Sequence, residues 1–260
     1  MASLALRALT AMRGLIVIVR RRLPTAGTRA RSARRSIAAV AAGSVVAATL
    51  ISAQASVAAP WVQPRASSYP TTTYAVIKTI AVGNAPYGVG VDSADDSIYV
   101  ANYGANNVSV IDGSAGSVSG ATISVGNSPW GVAVNQADDS VYVTNTASNN
   151  LSVISGQSRA VTTSNPGGVS APKTVAVDQT DDTVYIANNG DDRVLALRGS
   201  TLSVSSTLIG DQPQGVAVND LDDTVYATAI GAATDDSVWI IRGSSFAVDD
   251  TITVGRQPWW

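Results

Sequence analysis

The sequence contains no cysteine, no histidine and no glutamate among its 260 residues. Without cysteine the chain has no disulfide and no thiolate metal ligand. Without histidine it lacks the commonest general base and metal ligand, so Ser-His-Asp and Cys-His catalysis is excluded. All 19 acids are aspartates, which favour turns over helix interiors. No long amphipathic helical pattern follows residue 60, and together these features predict an all-β protein.

Charge divides the chain into two unlike parts. Residues 1–59 carry nine arginines and no acid, whereas residues 60–260 carry eight lysines or arginines and all 19 aspartates, a net charge of −11. An acidic body repels a phosphate backbone, so we expect no nucleic-acid partner. No glycine-rich loop followed by a helix is present to cradle phosphates, and we expect no cofactor.

The basic part, residues 1–59, has the order of an export leader. An arginine-rich stretch precedes the apolar segment 37–55, and Ala53-Gln54-Ala55 has the small-x-small form that a signal peptidase accepts. We therefore predict a protein that is secreted or held at the cell surface, by the general secretory route rather than the twin-arginine route. The alternative is an uncleaved anchor, since segment 37–55 could just span a bilayer; otherwise no membrane partner is expected. Residues 60–73 are predicted to be a linker.

A repeated block dominates the rest of the chain. Its first residue is a proline, at Pro86, Pro129, Pro172, Pro213 and Pro258, which puts 41–45 residues between successive blocks. A period of this length made of short strands is typical of β-propeller blades, each a four-stranded antiparallel sheet. We therefore predict a propeller domain over residues 74–260, with blades at about 86–126, 129–169, 172–210 and 213–255.

Two further residue types keep the same period. The first is a tyrosine that we expect to fill the gap between neighbouring blades; it recurs at Tyr99, Tyr142, Tyr185 and Tyr226. The second is a pair of aspartates at the first hairpin of each blade, namely Asp95-Asp96, Asp138-Asp139, Asp181-Asp182 and Asp222-Asp223. Paired carboxylates could bind calcium or act as acid and base. Because the pairs fall at four separate places around a ring, we interpret them as turn residues.

Tyr142-Val143-Thr144-Asn145 spells the motif of the YVTN-repeat β-propeller family, and residues 99–102 and 185–188 are close variants. The likeness covers about residues 76–260, so the chain resembles a member of that family. The resemblance implies a propeller, usually of seven blades, that is often secreted or on the surface of bacteria. Related propellers include lactonases and a lyase, but none of their active-site motifs can be placed on this sequence.

The repeat predicts an incomplete ring. Residues 75–82 look like an outer strand without a blade of its own, and Pro258 is placed where a fifth blade would begin. We expect a fragment of a larger ring, with open blade faces. A closed four-bladed ring and self-association through the open faces are the alternatives.

One face of the propeller is the predicted binding surface, because the loops before each inner strand and after each second strand open there. Aromatic rings and amides on this face suit a glycan, a peptide or a protein. The candidate residues are Asn84, Tyr87, Asn102, Tyr103, Asn127, Trp130, Asn145 and Asn188. The alternative for the asparagines is that they only shape the loops.

The sequence thus favours an exported, non-enzymatic binding scaffold with no metal and no catalytic residue. The alternative function is a lactonase- or lyase-like enzyme that works without histidine, through carboxylates and a divalent metal. A truncated product without function is a third hypothesis.

Overall fold

The computed structural model describes residues 6–9, 15–21, 74–209, 212–230, 236–256 and 258. The predicted leader and linker, and the start of a fifth blade, lie largely outside these residues. Within the leader range, β1 (Leu6–Leu9) pairs with β2 (Leu15–Arg21), and β2 pairs antiparallel with β3 (Tyr74–Ala81). β3 is the strand predicted at 75–82; it belongs to no blade, and its Ile80 packs against blade 1.

Four antiparallel sheets follow in chain order and form the blades. Blade 1 contains β4 (Pro86–Val91), β5 (Ser97–Asn102), β6 (Asn107–Asp112), β7 (Ser117–Val118) and β8 (Ile123–Ser124). Blade 2 contains β9 (Pro129–Asn135), β10 (Ser140–Asn145), β11 (Asn150–Ser155) and β12 (Val161–Ser164). Blade 3 contains β13 (Pro172–Asp178), β14 (Thr183–Asn188), β15 (Arg193–Arg198) and β16 (Val204–Ile209), with a 3-10 turn at Asn189–Asp191. Blade 4 contains β17 (Pro213–Asn219), β18 (Thr224–Ala229), β19 (Ser237–Arg242) and β20 (Ala247–Thr253).

The all-β propeller predicted from the repeat is confirmed, and its ring is not closed. Blade 1 departs from the simple pattern, because its outer strand is split into β7 and β8, which pair with opposite ends of β6. No helix in the described ranges is long and apolar enough to span a membrane.

Small residues let the inner strands approach one another closely. The inner strands β4, β9, β13 and β17 lie side by side in that order. A Cβ added to Gly88 would come within 2.2 Å of the carbonyl oxygen of Trp130, and one added to Gly131 within 2.7 Å of that of Lys173. At Gly88 and Gly131 a side chain would therefore collide with the next blade, whereas the third repeat has Thr174 at this position, whose hydroxyl donates to the Gln214 carbonyl of blade 4 at 2.9 Å.

Three of the four repeated tyrosines fill the space between blades, as predicted, but the prediction was wrong for Tyr226, which is 38% exposed. Tyr99 packs against Val132 and Val134 of blade 2, and Tyr142 packs in the same way on blade 3. Tyr185 lies against blade 4, where its ring stacks on Phe246 with a centroid distance of 5.8 Å and an interplanar angle of 7°. Burial raises the pKa of Tyr142 to about 12. Most of the buried core thus lies between sheets, so each blade depends on its neighbour.

The aspartate pairs form the first hairpins. The second member of each pair has a positive φ, between 56° and 64°, at Asp96, Asp139, Asp182 and Asp223. The first member acts through its side chain: in three blades its Oδ1 accepts a hydrogen bond from the backbone N–H two residues later, at 2.8–3.1 Å. This is the local turn chemistry predicted for aspartate.

Candidate binding surface

Four residues in the same register line the start of the inner strands. Each follows the proline that opens its strand: Tyr87, Trp130, Lys173 and Gln214. The residue before that proline has a positive φ in every blade, between 39° and 55°. In blade 1 the pairing register also shifts between Pro86 and Val89. Such a bulge re-aims the intervening side chain, which explains how Tyr87 leaves the inner strand ladder.

Three aromatic rings from two blades meet at this place. Tyr87 and Trp130 have ring centroids 4.4 Å apart with an interplanar angle of 38°. Tyr103 lies 5.1 Å from Tyr87 and meets Trp130 edge-on at 5.7 Å. These separations are those of interacting aromatic pairs. All three residues are only partly buried, and we call this group the aromatic cluster.

A lysine from a third blade completes the arrangement. The Nζ of Lys173 lies 4.0 Å from the centroid of the Trp130 ring, a distance typical of a cation–π contact. Tyr87 and Lys173 come from the blades on either side of blade 2, so Trp130 has an aromatic neighbour on one side and an ammonium on the other. Desolvation lowers the pKa of Lys173, because removal of water disfavours the charged form.

Inter-blade hydrogen bonds fix the strand that carries Lys173. The Thr144 hydroxyl donates to the carbonyl oxygen of Lys173 and accepts from the N–H of Gly131 at 2.8 Å. The Thr146 hydroxyl donates to the carbonyl of Pro172 at 2.6 Å. Blades 2 and 3 are thus tied together directly below the cluster, which holds Trp130 and Lys173 in register.

The three repeat asparagines, Asn102, Asn145 and Asn188, are completely buried. The Nδ2 of Asn145 donates to Asn150 Oδ1 at 2.8 Å and to Ser152 Oγ at 2.9 Å, and Asn102 makes the same pair of bonds in blade 1. Asn188 donates to the Gly168 carbonyl and accepts from the Ser170 N–H. These contacts fit the loop-shaping alternative, so we leave the three residues out of the proposed ligand contacts.

The remaining two candidates, Asn84 and Asn127, are exposed. Their backbone carbonyls accept hydrogen bonds from Gly104 at 3.1 Å and from Ala147 at 3.2 Å. The backbone therefore joins the loop before each inner strand to the loop after the second strand. Both residues are exposed to solvent, in the loops that lead to Tyr87 and Trp130 of the aromatic cluster.

Sequence reasoning gave Lys173 no part in the site. The sequence did relate Lys173 to the site, because Lys173 occupies in the third repeat the position that Tyr87 and Trp130 occupy in the first two. Only the folded arrangement shows that successive repeats place this position within contact distance. Among the described residues, no group of three acidic, histidine or cysteine side chains could hold a metal ion.

No protein-family model matches the chain, and neither does any curated protein, so the resemblance to the YVTN-repeat family stays a prediction. Among solved structures, 993 chains match. One is hydrazine synthase of Kuenenia stuttgartiensis, with a TM-score of 0.60 and 19% sequence identity. The match covers 65% of this chain and 49% of that chain. At this identity the likeness shows the propeller-like fold alone.

Proposed function

We propose that this protein is an exported, non-enzymatic propeller scaffold that binds a ligand at the aromatic cluster. The observation that carries the proposal is the convergence of Tyr87, Tyr103 and Trp130 with Lys173 from three successive blades. Folding does not require an aromatic residue directly after the proline that opens each inner strand, since Lys173 and Gln214 occupy that position in blades 3 and 4. Partly exposed rings clustered by the fold at one site supply a large contact area at low entropic cost.

The charge of Lys173 indicates what the ligand presents. An ion pair joins Arg242 to Asp249 and does not involve Lys173. Desolvation lowers the pKa of the lysine, and no carboxylate in the described ranges is paired with its ammonium. A partly desolvated cation is stabilised by an anion that reaches it. We infer a glycan, peptide or protein ligand that brings a carboxylate to Lys173.

The wider assignment depends on the sequence. The register of the repeats supports membership of the YVTN-repeat family, and the order of residues 1–59 supports export to the cell surface or medium. Both are consistent with a protein whose exposed propeller face meets ligands outside the cytoplasm.

A binding screen of the full chain against glycans and cell-wall material tests the proposal. The glycans include polygalacturonate and its neutral methyl ester, which differ in the carboxylate charge. We expect Trp130→Ala to abolish binding and Lys173→Gln to weaken carboxylate binding about tenfold or more, the effect of losing one hydrogen bond to a charged group. Gln214 occupies the same register, so the glutamine is compatible with the fold.

Tyr226→Ala is the matched control, because Tyr226 is another partly exposed aromatic residue that lies away from the cluster on blade 4. Binding that survives Trp130→Ala, or that Tyr226→Ala removes equally, would refute the assignment of the site. Equal binding of polygalacturonate and its methyl ester would refute the role of Lys173.

A further inference from the structure

The ammonium of Lys173 covers a face of the Trp130 indole. Its Nζ lies 4.0 Å from the ring centroid, which is contact distance for a cation over an aromatic ring. A ligand group that stacks on this face needs the space that the ammonium fills. Any such ligand must therefore move the ammonium aside before it can reach the ring.

Two tyrosines brace the indole from other directions. Tyr87 lies tilted against Trp130, and Tyr103 meets it edge-on. The residues equivalent to Tyr103 in blades 2 and 3 are Thr146 and Asn189, whose side chains donate to the proline carbonyl of the following blade at 2.6 Å and 3.4 Å. Blade 1 has a ring at this position in place of an inter-blade hydrogen bond. Tyr103 thus supports the aromatic cluster where its equivalents support the next blade.

Lys173 is the movable member of this site. Its backbone is fixed, because the Thr144 hydroxyl donates to its carbonyl oxygen, but its ammonium lies at the end of a flexible four-carbon chain. A cation–π contact at an accessible site is weak, and its loss changes an equilibrium constant about two- to fivefold. A carboxylate that reaches the ammonium forms a stronger, charge-assisted hydrogen bond. An anion can therefore draw the ammonium off the indole, whereas a neutral group has to displace it without that gain.

We propose that Lys173 determines the specificity of the aromatic cluster in two ways: it attracts a carboxylate, and it disfavours neutral ligands by covering Trp130. A residue that acts against the wrong ligand as well as for the right one widens the difference between their affinities. This inference rests on the proposed function, because it assigns a selection mechanism to the same binding site.

The ligand that fits this mechanism is a sugar acid. The ammonium and the indole centroid are 4.0 Å apart, so the carboxylate of the ligand and the group that stacks must lie close together. In a uronic acid the carboxylate is attached directly to the pyranose ring. A single sugar residue therefore presents both the group that draws the ammonium away and the face that takes its place.

The affinities of the full chain for polygalacturonate and for its neutral methyl ester test the proposal. Lys173→Gln should weaken the binding of polygalacturonate. The same variant should strengthen the binding of the methyl ester about two- to fivefold, because the neutral side chain has no cation–π attraction to the indole. Lys78→Gln is the matched control, since Lys78 is exposed on β3 and its ammonium donates to the Ala115 carbonyl at 3.4 Å. It should change neither affinity.

A second measurement follows the ammonium itself. The sequence contains two lysines, Lys78 and Lys173, so carbon-13 labelling of lysine gives two Cε–Hε signals, and Lys173→Gln identifies one by its loss. Because Lys173 lies over the indole, its Hε signal should be shifted upfield of the Lys78 signal. Trp130→Ala should abolish that shift, and saturating polygalacturonate should move the Lys173 signal toward that of Lys78.

The outcomes separate this inference from the proposed function. If Lys173→Gln bound the methyl ester no better than the wild type, the two-way selection would be overturned and the binding site would still stand. Binding that is unaffected by Trp130→Ala would instead remove the proposed function. Coincident Hε signals in the wild type would overturn the covering role of Lys173 without any ligand.

Polyglutamate distinguishes a sugar acid from an acidic peptide, because it carries carboxylates but no pyranose ring. We expect it to leave the Lys173 signal largely in place. Equal displacement by polyglutamate and polygalacturonate, or failure of the wild type to bind polygalacturonate, would overturn the assignment to a sugar acid.

Discussion

The junction between blades 1 and 2 contains a pair of carboxyl groups, and Asp92→Asn should stabilise the protein at neutral pH. Asp92 directly follows β4 and is almost fully buried, and its side chain is in hydrogen-bonding contact with the carboxyl of Asp139 on blade 2. That hydrogen bond, followed by burial, raises the pKa of Asp139. Two carboxyl groups can share one proton, but they repel when both are ionised.

The next junction shows what an amide does at the same place. Asn135 corresponds to Asp92, and its Nδ2 donates to Asp182 Oδ1 at 3.0 Å while its Oδ1 accepts from the Ala137 N–H at 3.0 Å. Asp92 already accepts from the Ala94 N–H at 2.8 Å. An asparagine at position 92 can therefore keep that bond and donate to Asp139.

The size of the effect follows from this one new bond. A hydrogen bond to a charged acceptor contributes about 1.5–3 kcal/mol. Asp139 is only partly buried, so we take about 1–2 kcal/mol, which raises the melting temperature of a domain of this size by roughly 2–8 °C. A raised folded-state pKa favours the folded state below the unfolded pKa, and that contribution is lost as the pH rises through the folded value. The gain from Asp92→Asn should accordingly be largest above the raised pKa of Asp139 and shrink near pH 4.

Urea and thermal unfolding of the wild type and the variant at pH 4 and pH 7.5 measure this difference. Asn135→Asp, the reverse change at the next junction, should destabilise the protein at pH 7.5 by a similar amount and less at pH 4. If Asp92→Asn destabilised the protein at pH 7.5, or gave the same gain at both pH values, the proton-sharing argument would be refuted.

Three further outcomes are expected. Tyr142→Ala should lower the free energy of unfolding by about 3–5 kcal/mol, as for other buried aromatic residues. Tyr226→Ala should lower it much less. Equal losses of unfolding free energy in urea would contradict the inter-blade role of the buried tyrosine. Asn145→Ala removes the donor of two buried hydrogen bonds and should lower the free energy of unfolding by about 2–3 kcal/mol. Asn127→Ala, at an exposed residue, should change the urea midpoint little. If Asn127→Ala destabilised the protein more than Asn145→Ala, the repeat asparagines would again be candidates for ligand contact. Calcium or EDTA should leave the melting temperature of the full chain unchanged, since a large shift would favour the metal-dependent enzyme alternative.

Much of the fold was predictable from the sequence. The turn aspartates depend on local backbone geometry, and the repeat period and the tyrosines depend on packing between neighbouring blades. Asp138 and Asp139 form the same hairpin as their equivalents because the turn needs a side-chain acceptor followed by a positive φ. The roles of the asparagines were not decided by sequence. Asn145 ends β10 and is buried, whereas Asn127 lies in the loop before β9 and is exposed.

Lys173 shows the same limit in the binding surface. Its position in the repeat makes it equivalent to Trp130. The repeat alone does not determine the distance in space between equivalent residues of neighbouring blades. The close packing of the inner strands at Gly131 brings the two residues within 4.0 Å.

The sequence by itself determined the four sheets, their turns and the residues that pack between them, because these depend on short-range hydrogen bonding and on a hydrophobic pattern repeated every 41–45 residues. The tertiary structure alone decided which side chains meet across blades, namely the three rings with Lys173 and the acid pair at Asp92 and Asp139. The physical reason is that each of these depends on the distance and angle between separate sheets, which are set by packing around a common axis.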